Sequence, residues 1–481
     1  MAKHRMGDVI VLLPGILGSV LTCDGKDVWA PSPGAIGRAL WSLGRSVRAL
    51  RLENDPWEED DLGDGVTATR LMPDVHIVPG LWGIDGYTDI GRFIKDRFDV
   101  VAGQTFVEFP YDWRRDNRAA ARQLKRVVEE KLHAQRQHNA DAKLILVGHS
   151  MGGLVARYYL ECLDGWRDTR RLITFGTPYR GSLNAVDFLA NGFVKKIGPL
   201  KVADLTDLLR SLTSVYQLLP VYPCVEFGNG YERVAELDGR VPGIDHDRAT
   251  AALAEFHRAI EKGVAAHDPR PYDIHAVVGI TQGTKQSARW TGDRLLIEET
   301  YRRDGQVEDL GGDGTVPRAS ATPIETDDWE QGFQPMYASD RHASLQNVDP
   351  VQTQLLGVLT AVDLGGFRAG GAVRLEADEV VATGESVPVR AFPAGSNLDL
   401  TLVVTDLSTQ RAAAPPMPMR RDADEVHYAE VAPLPAGDYR VCVEGSGPSA
   451  TLVDPVHGLL CVLDDVAPDV DPAASGNGAN R

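Results

Sequence analysis

Residues Lys143–Leu160 read KLILVGHSMGGLVARYYL, and the reading of this stretch decides how the chain is built. Lys143–Val147 is a short apolar run of strand length, and Leu154–Leu160 continues as an apolar-rich helical segment. Between them, Gly148-His149-Ser150-Met151-Gly152 is a G-x-S-x-G pentapeptide in the setting that motif requires, a strand turning sharply into a helix. The turn is so tight that a side chain at either glycine would collide with the neighbouring strand or helix. Ser150 is expected in a strained backbone conformation, its hydroxyl projecting from the carboxyl edge of a sheet, with the unpaired amides of the next helix directed at it. A serine here could also merely cap the helix; the flanking strand and helix together favour a nucleophile.

Working outward, Val9–Leu13 (VIVLL) is a continuous apolar run of the kind found in a strand buried on both faces. It ends in Pro14-Gly15-Ile16-Leu17-Gly18-Ser19, a Gly-rich turn where a hydrolase of this type places its second oxyanion donor. On that logic the backbone amides of Ile16 and Met151 form the oxyanion hole. Thr105–Phe109 reads as the next strand, and Arg115–His138 as an amphipathic helix with Leu124, Val127, Val128 and Leu132 on one face. The elbow strand and the strand Leu172–Phe175 follow. The resulting βαβαβ alternation calls for a parallel sheet covered on both faces, an α/β fold.

A nucleophilic serine needs a base and an acid, expected further along the chain in the order Ser, Asp, His. Asp313, bracketed by glycines in Gly311-Gly312-Asp313-Gly314-Thr315-Val316-Pro317, is the candidate acid. Asp309 is its nearest rival but sits inside a strand-like segment. His342 is the candidate base, because it lies in a loop before the helical segment Pro350–Val362, whereas His427 and His457 fall in a separate C-terminal region.

The length of 481 residues implies more than one domain. Residues 1–365 read as the α/β domain. An insertion without regular pattern runs from about 23 to 75, and its Trp29, Trp41 and Trp57 are candidates for lipid contact or for packing. A leucine-rich cap is expected over about 183–247, with helical pieces such as Val202–Leu219. A helix is expected over Ala249–His267 and a return to the sheet at Ile274–Ile280. Arg294–Tyr301 and Gln306–Leu310 flank an Asp304-Gly305 hairpin turn. From 366 to 464, short β-rich segments separated by turn residues read as a small antiparallel, Ig-like sandwich without a catalytic constellation, so a binding or packing module. Residues 465–481 read as a disordered acidic tail.

The formal net charge of −18 argues against a nucleic-acid partner and against purely electrostatic attraction to anionic membranes. Contact with lipid would have to be peripheral, through apolar lid or cap surface. The five cysteines show neither a disulfide framework nor a zinc site; Cys442 and Cys461, in late strand-like segments, leave open a pair of neighbours, with two buried thiols the favoured reading. Asp8 and Pro14-Gly15 interrupt the early apolar run in a way a signal peptide does not. No segment offers the roughly 18 uninterrupted apolar residues of a membrane span, so a cytoplasmic location is the expectation.

With these residues in view, the chain resembles the lecithin:cholesterol acyltransferase-like family of α/β-hydrolases, which includes lysosomal phospholipase A2 and plant phospholipid:diacylglycerol acyltransferases. The likeness rests on PGILGS (Pro14–Ser19), PYDWR (Pro110–Arg114), GHSMGG (Gly148–Gly153), FGTPYRGS (Phe175–Ser182) and GDGTVP (Gly312–Pro317). Ser214–Pro220 also looks like a cap segment of the plant members. The resemblance implies an α/β-hydrolase fold, a triad at the positions of Ser150, Asp313 and His342, and an oxyanion amide at Ile16. It further implies action on glycerophospholipids or other lipid esters, by phospholipase A or transacylase chemistry. The chain departs from secreted and lysosomal members in lacking a cysteine pair around the lid insertion and in its added sandwich, so a bacterial-type lipase or esterase is nearer than a plasma acyltransferase.

The expected chemistry is acyl transfer through a covalent serine ester, released to water or to an acceptor alcohol, with no metal or cofactor required. Two other readings stay open: an esterase for small soluble esters, and a weakly active hydrolase-fold scaffold whose sandwich recruits a partner.

Overall fold

The computed structural model describes residues 3–30, 50–73, 77–78, 82–83, 86–197, 200–228, 230–267, 272–303, 306–309, 311–326, 335–360, 373–378, 380–393, 397–409, 411–422, 426–450, 453 and 456–463. The chain divides into two compact units, Met1–Leu359 and Thr360–Arg481.

The first unit is organised by a six-stranded sheet. Its strands are β1 (Val9–Leu13), β2 (Phe106–Glu108), β3 (Leu144–His149), β4 (Thr169–Phe175), β5 (Asp273–Gly279) and β6 (Met336–Ala338). They lie in the order β6-β5-β4-β3-β1-β2, and every pairing is parallel. All residues of β1 and β3 are buried, which is why both read as unbroken apolar runs rather than alternating ones.

From β1 the chain moves outward to β2, then returns to the other side of β1 as β3 and proceeds to β4, β5 and β6. The order therefore reverses between β1 and β3, and open α/β sheets bind ligands outside the carboxyl ends of the strands at such a point. Gly148 is in register with Leu13, so the Pro14–Ser19 loop and the Ser150 elbow emerge side by side.

Helices α1 (Thr88–Arg97), α2 (Asn117–Arg136), α3 (Met151–Cys162), α4 (Leu183–Ala190), α5 (Arg258–Ala266) and α6 (Asp349–Thr360) belong to this unit. Asp116 caps α2 by accepting the Arg118 amide at 2.8 Å, and Ala120, Ala121, Leu124, Val128 and Leu132 form its buried stripe. Helix α3 is buried along nearly its whole length, because it packs between β3 and β4 on one side and α2 and α5 on the other. Helix α5 continues the helix His246–Ala251 through a π turn at Ala252–His257, and Phe256 of that turn stacks on Tyr158 of α3 with ring centroids 5.5 Å apart.

The insertion after β1 is more ordered than its sequence pattern implies. Ser19–Cys23, Lys26–Trp29 and Val66–Leu71 form a three-stranded antiparallel sheet. The signal is weak because Val66–Leu71 buries only its two end residues, leaving four polar or small positions between them. Trp29 is buried against Trp113, and Trp57 lies beneath the Arg118 guanidinium at 4.8 Å, so both are packing residues; Trp41 lies outside the described residues.

The cap also departs from expectation. Residues Leu200–Asp204 form a strand paired with Val194–Ile197, so helix begins only at Thr206–Ser211 and Thr213–Tyr216. In addition, Ser287–Trp290 pairs in parallel with Val225–Phe227, completing a four-stranded sheet with Gly230–Glu232 and Leu295–Glu298. The excursion after β5 thus shares a sheet with strands of the 183–247 stretch. The strands Tyr301–Arg303 and Gln306–Glu308 do pair, though their Asp304-Gly305 turn lies outside the described residues.

The second unit holds a four-stranded and a larger sheet around a shared apolar core. Val387, Val389 and Ala391 from one and Leu400, Leu402, Val404, Val441 and Val443 from the other alternate inward, the pattern of a sandwich. It is not wholly antiparallel, since Val380–Ala382 pairs in parallel with Val456–Leu463. Cys442 is half-buried rather than buried, and it faces His457 in register while Cys461 faces Asp438. That offset of four residues separates the two cysteines by about 13 Å along the strand, beyond the roughly 7 Å Cα limit for a disulfide. The 465–481 tail lies outside the described residues.

Candidate active site

Ser150 follows β3 with φ 52° and ψ −124°, a left-handed backbone that a serine adopts only when its surroundings impose it. Its amide donates to the Phe175 carbonyl at 2.9 Å, and its carbonyl accepts from Thr177 Oγ1 at 2.9 Å. A Cβ at Gly152 would stand 2.5 Å from the Pro14 carbonyl oxygen, and one at Gly148 would stand 2.7 Å from the Gly153 backbone. Both glycines are therefore conditions for α3 to pack this close to β1 and β3.

The structure brings Ser150, Asp313 and His342 together. Ser150 Oγ is 2.9 Å from His342 Nε2, and His342 Nδ1 is 2.7 Å from Asp313 Oδ2. The ionised carboxylate only accepts, so Nδ1 carries the proton, Nε2 presents its lone pair, and the serine hydroxyl donates to it. The other oxygen, Asp313 Oδ1, accepts the amides of Thr315 and Val316 at 2.9 and 2.7 Å, while the Asp313 carbonyl accepts the His342 amide at 2.8 Å. All three side chains are buried. Asp309 is elsewhere, accepting from Gln286 and the Gly311 amide, and His427 is a core histidine of the second unit bonded to the Leu398 carbonyl.

Ile16 lines the small space over Ser150, and Met151 directly follows Ser150. Met151 is the first residue of α3, so its N–H has no partner within the helix. Gly18 N–H closes a turn onto the Gly15 carbonyl at 3.0 Å with Leu17 at φ 64°, which leaves Ile16 at the turn's outer corner. Among the described residues, neither amide meets an acceptor.

Sequence reasoning missed what holds this loop. Tyr111 Oη donates to the Pro14 carbonyl at 2.7 Å, Trp29 Nε1 to the Leu17 carbonyl and Trp113 Nε1 to the Ser19 carbonyl, each at 3.1 Å. Two of these donors belong to PYDWR, a motif that reads as a family mark without an obvious task. Its Arg114 is fully buried and bonds Asp112, Asp64 and the Leu50 carbonyl, and the neighbouring Arg115 bonds Asp55 and the carbonyls of Pro56, Glu59 and Asp60. The segment thus ties the Pro14–Ser19 loop on one side and the insertion on the other. Tyr87 and His149 form a further link, with Tyr87 Oη 2.9 Å from His149 Nδ1 and His149 Nε2 2.9 Å from the His342 carbonyl. Burial, reinforced by the neighbouring His342, pushes His149 down to about 3, and burial pushes the Tyr87 and Tyr111 hydroxyls well up, so all three are neutral.

Around Ser150 the wall is apolar, made by Ile16, Phe188, Val215, Leu218 and Val316, and encloses only about 10 Å³. That is no more than the roughly 10–15 Å³ that admits a single water. A roomier cavity of about 440 Å³ lies between α3 and α5, lined by Leu154, Arg157, His257, Ile260 and Glu325. None of the triad residues lines it, so volume alone does not mark the reacting centre here.

Residues 96–235 match the family model for lecithin:cholesterol acyltransferase. The matched stretch contains PYDWR (Pro110–Arg114), the Ser150 turn and the residues up to 235 that follow it. A phosphatidylcholine-sterol acyltransferase of Gallus gallus is 34% identical over 98 residues, 19% of this chain and 22% of that protein. An uncharacterized protein of Saccharomyces cerevisiae is 29% identical over 174 residues, 36% of this chain and 23% of that protein. The matched regions therefore span less than a quarter of these relatives' lengths. Among solved structures, the mature Bacillus licheniformis lipase BlEst2 is 15% identical with a TM-score of 0.28, covering 73% of this chain and 91% of that one. A lin2722 product of Listeria innocua is 11% identical with a TM-score of 0.26, covering 72% and 92% respectively.

Proposed function

We propose that the chain is a serine-dependent lipid-ester hydrolase or O-acyltransferase acting on phospholipids or related esters through an acyl-enzyme. The observation that carries this reading is the unbroken line from Ser150 Oγ through His342 to Asp313, at 2.9 and 2.7 Å. In the first step Ser150 Oγ bonds to the ester carbonyl carbon and its proton passes to His342 Nε2. The negative oxygen that forms is held by the Ile16 and Met151 amides, each such donor being worth about 10²- to 10³-fold in rate. Asp313 keeps the imidazole in the accepting tautomer and balances its charge once protonated. Collapse breaks the bond to the leaving alcohol, which takes the proton from His342. Water or an acceptor alcohol then gives its proton to Nε2 and attacks the serine ester, restoring Ser150. The apolar wall of Phe188, Val215 and Leu218 supports an acyl chain as the group transferred. The family match and the acyltransferase relative favour a lipid ester over a small soluble one.

The test is mass spectrometry of the products of wild type and Ser150→Ala on mixed phospholipid vesicles, with and without a long-chain alcohol. Free fatty acid and lysophospholipid from wild type alone establish hydrolysis, and a new ester in the presence of alcohol adds transacylation. Unchanged lipids, with no labelling of wild type by a serine-directed phosphonate, would sink the proposal in favour of a scaffold role.

A further inference from the structure

Three hydrogen bonds connect the oxyanion loop to the backbone of His342. The Gly15 amide donates to Tyr87 Oη at 2.8 Å, Tyr87 Oη lies 2.9 Å from His149 Nδ1, and His149 Nε2 lies 2.9 Å from the His342 carbonyl. Their direction is forced. A carbonyl only accepts, so His149 Nε2 carries the proton and Nδ1 offers a lone pair. The tyrosine hydroxyl must donate to that lone pair, which leaves its oxygen to receive the Gly15 amide. Every donor and acceptor in the line is used, and Tyr87 and His149 are 2% and 3% exposed, so water cannot substitute for a lost partner.

Each end of the line is one step from the reaction. Gly15 precedes Ile16, and Leu17 beyond it is held at φ 64°, a conformation that relaxes when its restraints are removed. The other end grips His342 itself, whose ring stands 5.0 Å from that of His149. His149 closes β3 directly before the elbow serine, where an apolar residue would fill the space without requiring two hydrogen-bond partners.

We propose that Tyr87 and His149 are positioning residues that set the Ile16 amide and the His342 ring in mutual register for the acyl-transfer transition state. This rests on the reading of Ser150 as nucleophile and gives the elbow residue before it a task distinct from packing. Neither residue touches substrate. Their effect is on the placement of groups that do, where an error near 1 Å costs about 10² in rate.

The experiment compares wild type, Tyr87→Phe, His149→Phe and His149→Gln on a soluble short-chain ester. It records kcat, KM, the inhibition constant of an alkyl boronic acid whose tetrahedral adduct fills the oxyanion site, and Tm. Tyr87→Phe and His149→Phe are expected to lower kcat by about 10- to 10²-fold with KM within about twofold, and to weaken the boronate in proportion. His149→Gln, whose amide can accept from Tyr87 and donate to the His342 carbonyl, should recover most of the rate. The double variant Tyr87→Phe/His149→Phe should be little slower than either single one. A purely structural role predicts lower Tm with kcat and boronate affinity near wild type, and that result overturns the inference. If Tyr87→Phe does not fold, the His149 pair decides, because equal rates for His149→Phe and His149→Gln also overturn it. Ser150→Ala run alongside separates the two readings: activity retained there removes the nucleophile assignment, whereas activity lost there with an unaffected Tyr87→Phe removes only the positioning role.

Discussion

Asp313 and His342 are joined twice, by the 2.7 Å contact of Oδ2 with Nδ1 and by the 2.8 Å bond from the His342 amide to the Asp313 carbonyl. Because Oδ1 is already taken by the amides of Thr315 and Val316, an asparagine here would seat its oxygen on those amides and turn its NH₂ toward His342. The imidazole would then need its lone pair at Nδ1 and its proton at Nε2, the tautomer that cannot receive a proton from Ser150. Asp313→Asn should therefore lose about 10⁴ in kcat while unfolding within a few degrees of wild type, as measured by ester hydrolysis and circular dichroism.

Arg114 has a fully buried guanidinium between Asp64 and Asp112, at 2.8 and 2.7 Å. Arg114→Ala strands both carboxylates and frees the Leu50 carbonyl. We expect a loss of about 3 kcal/mol in urea unfolding, with new proteolytic cleavage in the insertion around 50–64. Stability equal to wild type would show that PYDWR does not anchor the insertion.

His149 and His257 are both buried, and burial lowers them to about 3 and about 4. Unfolded, each takes up a proton near pH 6.5 that the folded chain refuses. Their contribution to stability is thus full above about pH 6.5 and is lost as pH falls toward 4, at roughly 1.4 kcal/mol per pH unit for each. Urea titrations at pH 7 and pH 5 should show the decline, and His257→Gln should reduce its slope by about one proton. A slope unchanged in that variant would mean His257 is protonated in the folded protein.

Phe188 closes the small space over Ser150 and meets Phe193 edge-on at 5.6 Å. Phe188→Ala should cost about 3 kcal/mol of stability and yet raise kcat/KM for a dispersed long-chain ester, measured below its micelle concentration. A fall in that ratio, with short-chain turnover unchanged, would make Phe188 part of the acyl-binding wall rather than its obstruction.

Much of this site is legible in the order of residues. The elbow is local: an apolar strand, two glycines around a serine and a helix lie within one continuous stretch, so the backbone strain at Ser150 follows from its neighbours in the chain. Asp313 and His342 are far from it in sequence, but their order after the serine and their place in loops that follow strands narrow the choice, and the structure brings those two residues to it. The insertion was harder to read, because Val66–Leu71 exposes most of its side chains and carries little apolar periodicity. The membership of Ser287–Trp290 in the cap was hidden for a different reason, since its partner Val225–Phe227 lies across an intervening sheet strand and helix.

Sequence by itself determined the parallel sheet and the tight strand-to-helix turn at Ser150, because each is written as a local pattern of burial and turn chemistry, and residue order singled out Asp313 and His342. Tertiary structure alone decided how the Pro14–Ser19 loop is held. Tyr87 and His149 are 62 residues apart, His149 and His342 are 193 apart, and Tyr111 reaches Pro14 across 97. A hydrogen bond is specified by distance and direction in space, and a buried tyrosine or histidine in a sequence looks the same whether it merely fills a core or holds the backbone of a reacting group.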